Sequence, residues 1–539
     1  MNASYTSIIT TVSTSVSTSV ITSVATTFVS KIINDAVSNI VRVNTRFNKI
    51  LTKSGFSFNK HQFDGVMWCV QNETRTSSAA AISSTTISAI RGGIVADEMG
   101  LGKTMLMIGT MFANFLPKTI IVVPPILIDQ WAKEIYKCSG HNAVIYHGAN
   151  KKKITFDTLT SKNACIVLTT YNTLIPLKKG TSKNKGISSD LLRINWDRVI
   201  FDEAHHLRNC RTSRFHWCKQ ISAPIRWLIS GTPVQNRRAD FYSLCNMLGF
   251  DKTFFKSKGS NSLYDPIAFV KQNYMLRRTK ADVGIDLPPV NKTNIVVPWK
   301  SVGEKTLSEE MHSIISKQSG VSSDKAKDAA YTIYEHGDPR AVLLMAMLRS
   351  RQSCVLPSLM KKSISNCIAN DQSGMYLDAM TSSSKLDVVI NTILERKENG
   401  KGKIVFCHFI DEIDTIARRL RESGVEKVVV YDGRTKGKKK RVFDKADVII
   451  LQIQTGCEGL NLQEFFSEIY FVSPHWNPAV EDQAIARCHR IGQTVDVYVF
   501  KFEMDGFGLN TILDTDSNTL DKYVNQVQNV KRDIASSVL

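Results

Sequence analysis

One stretch limits the choice of folds more than any other: Gly92-Gly93-Ile94-Val95-Ala96-Asp97-Glu98-Met99-Gly100-Leu101-Gly102-Lys103-Thr104. The apolar run Ile94 to Ala96 reads as a buried strand, a glycine-bearing turn follows, and Met105 to Phe112 has helical spacing. Strand, glycine turn and helix start, in that order, make a cradle for a polyphosphate. Small residues let backbone N–H groups approach it, and the helix dipole favours the anion. On this reading Ala96, Asp97, Glu98, Met99, Gly100, Leu101 and Gly102 wall the cradle. Lys103 would reach the β- and γ-phosphates of that polyphosphate, and the Thr104 hydroxyl would hold Mg2+. The strict pattern has glycine where this chain has Asp97, so an ordinary strand–turn–helix remains the alternative at this point.

A chain of 539 residues allows two or three domains with large cores. Its net charge of +20 calls for an acidic partner, most simply nucleic acid, although a merely soluble basic protein shows the same balance. The eleven cysteines are scattered and none has C-x-x-C spacing, which argues for a reducing compartment and against a disulfide framework or a cysteine-built zinc module. No apolar run is long enough for a transmembrane helix. Ser/Thr alternates with Val/Ile before the first charge, Lys31, unlike a secretory or mitochondrial leader. Residues 1–45 are therefore expected to be a low-complexity, mobile arm, and their alternation also permits an edge strand.

Phe63, Val66, Met67 and Val70 lie at helical spacing, and the amide of Gln62 at the start of that helix suits an adenine edge. Beyond the cradle, Thr119 to Val123 and Ala164 to Leu168 are short apolar strands separated by a helical pattern around Trp131. Such alternation predicts a parallel α/β sheet with ligands beyond the strands' carboxyl ends. Thr169 and Thr170 stand at one such end, placed either to donate hydroxyls to a phosphate backbone or simply to cap the strand.

A further apolar strand, Arg198 to Phe201, delivers the adjacent carboxylates Asp202 and Glu203. A phosphate cradle needs a magnesium carboxylate on a neighbouring strand, a role for Asp202, while Glu203 suits orientation of the attacking water. Arg226 to Ile229 forms another strand ending in Ser230-Gly231-Thr232-Pro233, towards which His205 can hydrogen-bond and so report nucleotide state. Taken together these features outweigh the ordinary reading of each.

In succession Gln62, Ala96 to Thr104, Asp202-Glu203-Ala204-His205 and Ser230 to Asn236 resemble the Swi/Snf family of DNA-translocating ATPases, DEAH-box members of helicase superfamily two. The likeness continues through Leu276-Arg277-Arg278-Thr279-Lys280, Leu287-Pro288-Pro289, Leu348 to Cys354 and Cys488 to Gln493. The family carries aspartate at the position of Asp97. The resemblance implies an α/β fold of two RecA-like parallel-sheet lobes with helical protrusions between them. It divides the chain into a first ATP-binding lobe at 46–290, a protrusion and linker at 291–384, a second lobe at 385–505 and a helical tail at 506–539 that can brace both lobes. The zinc-binding RING insertion of some relatives is not expected, for want of paired cysteines.

In the second lobe the basic run Lys438, Lys439, Lys440 and Arg441 offers phosphate contacts, a nuclear import signal or a solvated surface. Gln452-Ile453-Gln454 departs from the family's Ser-Thr-Arg/Lys, and Ser473-Pro474-His475-Trp476-Asn477-Pro478 points to the repair-associated SHPRH-like branch. Gln483 to Arg490 places Arg487 and Arg490 three apart on one helical face, from which they would neutralise the γ-phosphate when the lobes close. The implied activity is ATP-driven movement along double-stranded DNA, remodelling nucleosomes or other DNA-bound proteins in transcription or repair. The implied location is the nucleus, or the site of viral DNA replication for a viral source. A strand-separating helicase, an RNA-directed motor and an ATP-gated DNA scaffold are the alternatives.

Overall fold

The computed structural model of the protein describes residues 38–75, 90–176, 189–255, 265–318, 339–434, 446–456, 460–508 and 518–539. Most of the expected arm and all of Lys438 to Arg441 lie outside the described residues. Residues 38–45, read as the end of the arm, instead open a helix, α1 (38–54). Its Val43, Phe47, Ile50 and Leu51 fall on one helical face and are buried against the first lobe.

The first lobe is a seven-stranded sheet in the order β3-β4-β2-β5-β6-β1-β7, every pair parallel. Its strands are β1 (Arg91–Val95), β2 (Thr119–Val123), β3 (Val144–Ile145), β4 (Ile166–Thr170), β5 (Arg198–Phe201), β6 (Ile225–Ile229) and β7 (Met275–Leu276). Helices cover both faces, so the inner strands are continuous apolar runs, and every residue of β2 is buried. Ile94, Ile120, Val122, Val199 and Leu228 enter one core, while Val95, Ile121, Val123, Ile200 and Ile229 enter the other. The strand bearing the paired acids does not adjoin the cradle strand as the sequence reading required, because β6 runs between β5 and β1. Registers Phe201↔Leu228 and Val95↔Ile229 still bring Asp202, Ser230 and Ala96 out side by side.

Two helices orient the cradle: α2 (Lys60–Thr74), carrying Gln62, and α3 (Lys103–Ala113). At the far end of α2, the buried carboxylate of Glu73 accepts from Arg198 Nε and Nη2 (both 2.6 Å), Trp227 Nε1 (2.8 Å) and Asn114 Nδ2 (2.6 Å). Arg198 begins β5 and Trp227 lies in β6, so a single fully bonded ion pair fixes α2 to the strand that ends in the paired acids.

The second lobe is a parallel sheet in the order β10-β11-β9-β12-β13-β8. Its strands are β8 (Val290–Val297), β9 (Gly402–Cys407), β10 (Val428–Tyr431), β11 (Val448–Gln452), β12 (Phe466–Phe471) and β13 (Val497–Met504). β8 pairs with β13 along its whole length, so residues assigned to the end of the first lobe and the linker belong to the second sheet. Exposed Asn291, Lys292, Thr293 and Asn294 make it a polar edge strand, which no apolar run announces. Helices Val302–Gln318 and Pro339–Val355 carry the protrusion, with Leu307, Met311, Ala346 and Met360 as its own core.

The helical tail is α6 (Leu520–Val538), numbered after α4 (Ile128–Ser139) and α5 (Pro478–Ile485). Its Asp521 pairs with buried Lys385 of the second lobe, and Arg532 grips Asp482 with Nη1 at 2.8 Å. Its end, Val538, is buried in the first-lobe core, so α6 stands on both lobes.

Candidate nucleotide site between the lobes

The turn leaving β1 does not float free. Ala96 N donates to Leu276 O (2.7 Å) and Glu98 N to Arg278 O (2.8 Å), so the β1–β7 pairing continues along it as a strap. Asp97 is fully buried and held in a fork by Arg278, with Nε at 3.1 Å from Oδ1 and Nη2 at 2.5 Å from Oδ2. Arg278 also donates to the His61 carbonyl and thereby ties the turn to the segment bearing Gln62. Aspartate thus replaces glycine here because the turn is anchored by an ion pair.

Gly100 (φ +93°) and Gly102 (φ +76°) occupy the left-handed region that the turn requires, and Gly102 delivers the chain into α3. The Lys103 amine donates to the carbonyls of Asp97 (2.8 Å) and Glu98 (3.1 Å). Burial pushes its pKa below the usual lysine value, against the opposing pull of Glu203, Asp97 and Asp202. A Cβ on Gly231 would meet Met99 at 2.8 Å and the Lys103 amine at 3.3 Å, so the turn after β6 approaches the cradle as closely as glycine allows.

At the end of β5, Asp202 Oδ2 accepts from Trp131 Nε1 (2.7 Å) and Oδ1 from Glu203 N (2.9 Å), while Tyr171 donates to its carbonyl (2.6 Å). Glu203 is the only non-glycine residue with positive φ (49°) among the described residues, a strained turn of the kind that clusters at functional sites. The two carboxyls titrate apart: burial and the Glu203 charge raise Asp202, and although burial opposes it, His205, Lys103 and Arg487 hold Glu203 low. His205 Nδ1 lies 3.1 Å from Glu203 Oε2 and 3.5 Å from Ser230 Oγ.

The second lobe closes this pocket. Arg487 and Arg490 lie not on a helical face, as the sequence reading placed them, but in the turn beyond α5. Their backbone there is held by Arg487 N to Ala484 O (3.2 Å) and Arg490 N to Cys488 O (3.1 Å). A Cβ on Gly100 would stand 3.5 Å from Arg490 Cβ, so the turn rests on the cradle itself. Arg490 bonds Asn461, yet the Nε atoms of both Arg487 and Arg490 are buried without a partner among the described residues. Burial, then the like charge of Arg487, lowers the Arg490 pKa. Unsatisfied guanidinium donors beside a phosphate cradle are the complement of an anion.

On the other side of the cleft Ser230 Oγ accepts from Thr232 N (3.2 Å) and Thr232 Oγ1 from Gln235 Nε2 (3.3 Å), and two bonds cross to the second lobe, Gln483 Nε2 to Thr232 Oγ1 (3.4 Å) and Asn477 Nδ2 to Gln235 Oε1 (2.9 Å). Glu203, His205, Ser230 and Thr232 therefore form one chain that ends on the second lobe. Thr169 and Thr170 do not fit the expected DNA contact. Both are buried, with Thr169 donating to the Tyr146 carbonyl (3.0 Å) and Thr170 bonded to Thr173 (2.8 Å). The hydroxyls of a central strand end are used to bind neighbouring strands and turns.

Asp202 and Thr104 suit Mg2+, which takes one or two protein oxygens and completes its octahedron with phosphates and water. Among the described residues no cluster of three His, Cys, Asp or Glu side chains forms a metal site. Trp131, Arg278, Lys280, Gln235 and Asn477 had no role in the sequence reading. Trp131 was hidden in an apolar helical pattern, and the others lay within motifs quoted only for family likeness.

Residues 61–359 match the SNF2-related domain and residues 384–492 the helicase conserved C-terminal domain. A probable global transactivator of Orgyia pseudotsugata multicapsid polyhedrosis virus is 28% identical over 500 residues, covering 89% of this chain and 91% of that protein. An uncharacterized ATP-dependent helicase of Mycoplasma genitalium is 29% identical over 83% of this chain but only 40% of its own length, so this chain spans less than half of that relative. The Sulfolobus solfataricus SWI2/SNF2 ATPase core in complex with dsDNA aligns over 90% of this chain at 22% identity, with a TM-score of 0.36.

Proposed function

The chain belongs to the SNF2-related family and is an ATP-hydrolysing enzyme of the helicase-like type, and from that premise we propose that it is a translocase on double-stranded DNA. The observation that carries this reading is the arginine turn of the second lobe resting on Gly100 of the first. Fuel and trigger sit on different lobes, so each hydrolytic cycle is tied to closing and opening. The net charge of +20 suits a track of phosphates.

In the proposed cycle the Gln62 amide reads adenine, and the Lys103 amine exchanges loop carbonyls for β- and γ-phosphate oxygens. Asp202 and Thr104 would hold Mg2+, which supplies neutralisation of the phosphate charge. Glu203, kept ionised by its cationic neighbours, orients the attacking water. Arg487 and Arg490 meet the charge that develops on the γ-phosphoryl group, a contribution worth ~10³–10⁵ in rate. His205, Ser230 and Thr232 carry the state of Glu203 to Gln235 and the second lobe. Alternating grip by the lobes then advances the protein along one strand through phosphate contacts that ignore sequence and weaken with salt.

Nucleosomes or other DNA-bound proteins are the proposed cargo, with the nucleus or a viral replication site as the setting. Among the described residues no helix is long and apolar enough to cross a membrane. The test is ATP turnover by the full chain with and without duplex DNA, paired with triplex-displacement and strand-displacement assays. Stimulation by duplex together with triplex displacement is expected. Turnover indifferent to duplex DNA, or stimulated only by RNA, would overturn the reading.

A further inference from the structure

Lys280 occupies a place that neither the phosphate cradle nor the arginine turn explains alone. It ends the strap that follows β7, and its side chain is 10% exposed. Its backbone N–H donates to Glu98 Oε2 and its amine to Glu98 Oε1, both at 2.8 Å, so one carboxylate of the cradle clasps both ends of the residue. The same amine lies 3.4 Å from the carbonyl of His489, across the cleft. His489 directly precedes Arg490, and its ring Nε2 bonds the Pro288 carbonyl (2.9 Å) where the chain leaves the first lobe. Gly100 lies between them, since a Cβ there would stand 3.6 Å from Lys280 Cε and 3.5 Å from Arg490 Cβ.

We propose that Lys280 is a positioning residue for hydrolysis: held by Glu98, it sets the backbone of the arginine turn so that Arg490 faces the γ-phosphate when the lobes close. The inference rests on the ATPase reading above and adds a residue to it. Lys280 touches neither adenine nor the cradle's phosphate-facing amine, so its loss should leave nucleotide binding in place. The clasp is electrostatic as well as geometric: although burial opposes it, the hydrogen bonds and charge of Lys280 hold the Glu98 carboxyl below its usual range. An ammonium with three donors can serve Glu98 and the His489 carbonyl together while placing a positive charge against the carboxylate, which a neutral amide does not supply.

The test uses the full chain at saturating duplex DNA, with turnover measured against ATP concentration and binding read with the N-methylanthraniloyl derivative of ATP. Lys280→Ala is expected to lower kcat by ~10-fold or more while KM moves less than about threefold, the signature of an interaction needed only in the transition state. On an Arg490→Ala background Lys280→Ala should cost nothing further, because its effect passes through that arginine. Lys280→Arg, which keeps charge and reach, should recover most of the rate. A Lys280→Ala enzyme with wild-type kcat, or losses that multiply with those of Arg490→Ala, would overturn the proposal. If Lys280→Ala does not fold, Glu98→Gln carries the same prediction, and wild-type kcat in that variant overturns it. Failure of the wild-type chain itself to hydrolyse ATP would instead sink the ATPase reading, so the two failures are told apart.

Discussion

Replacing Asp97 by alanine tests whether the aspartate of the cradle is an anchor or an incidental substitution for glycine. Asp97 is 0% exposed and the Arg278 side chain 16%, so the change leaves a largely buried guanidinium without its carboxylate. Breaking a buried pair by deleting one partner costs about 3–5 kcal/mol. For a domain of 150–250 residues each kcal/mol moves the melting temperature by about 2–4 °C, so the first-lobe transition should fall by ~6–20 °C in calorimetry. The double variant Asp97→Ala/Arg278→Met removes the stranded charge and should be more stable than Asp97→Ala alone, because apolar groups replace a buried pair at little cost. ATP affinity should not recover with it, since Arg278 also holds the His61 carbonyl next to Gln62. Stability and nucleotide binding would thus separate across the cycle. A single variant that melts within the wild-type range, or a double variant that loses the sum of both single effects, would refute the anchoring role.

Lys103→Ala and Glu203→Gln should each abolish ATP hydrolysis, but only Glu203→Gln should retain nucleotide in an equilibrium binding measurement, because the cradle is left intact. Arg490→Ala should lower kcat by ~10³-fold with KM for ATP little changed, as expected for a group that acts only on the transition state. His312 caps the start of α6 through Leu520 N–H to Nε2 (2.8 Å), and burial lowers its pKa to about 4 despite the opposing charge of Asp521. Undocking α6 removes part of the cover that lowers this histidine, so docking weakens as pH falls from about 6.5 to 4, by at most ~3 kcal/mol. Protection factors of the α6 amides, corrected for the pH dependence of intrinsic exchange, should fall over that window, and equal protection factors at pH 7 and pH 4.5 would contradict it.

Much of the scaffold could be read from residues because parallel strands covered on both faces must be apolar throughout. β2 has the bounds that its β-branched run suggests. The same rule failed at β8, whose exposed Asn291 to Asn294 stretch belongs to an edge and carries no apolar signal. Thr169 and Thr170 misled for a related reason: a hydroxyl at a strand end looks the same in sequence whether it faces solvent or a neighbouring strand.

By itself the order of residues determined that a glycine turn and a helix start follow a buried strand, and that paired acids end another. Those are local matters, set by side-chain size, backbone freedom and spacing. Only the tertiary structure decided that Trp131 steadies Asp202, that Arg278 locks Asp97 across 181 residues of chain, and that the turn of Arg487 and Arg490 rests on Gly100. Each depends on a distance between groups far apart in sequence, and such distances are fixed by how two separately built cores come to face one another.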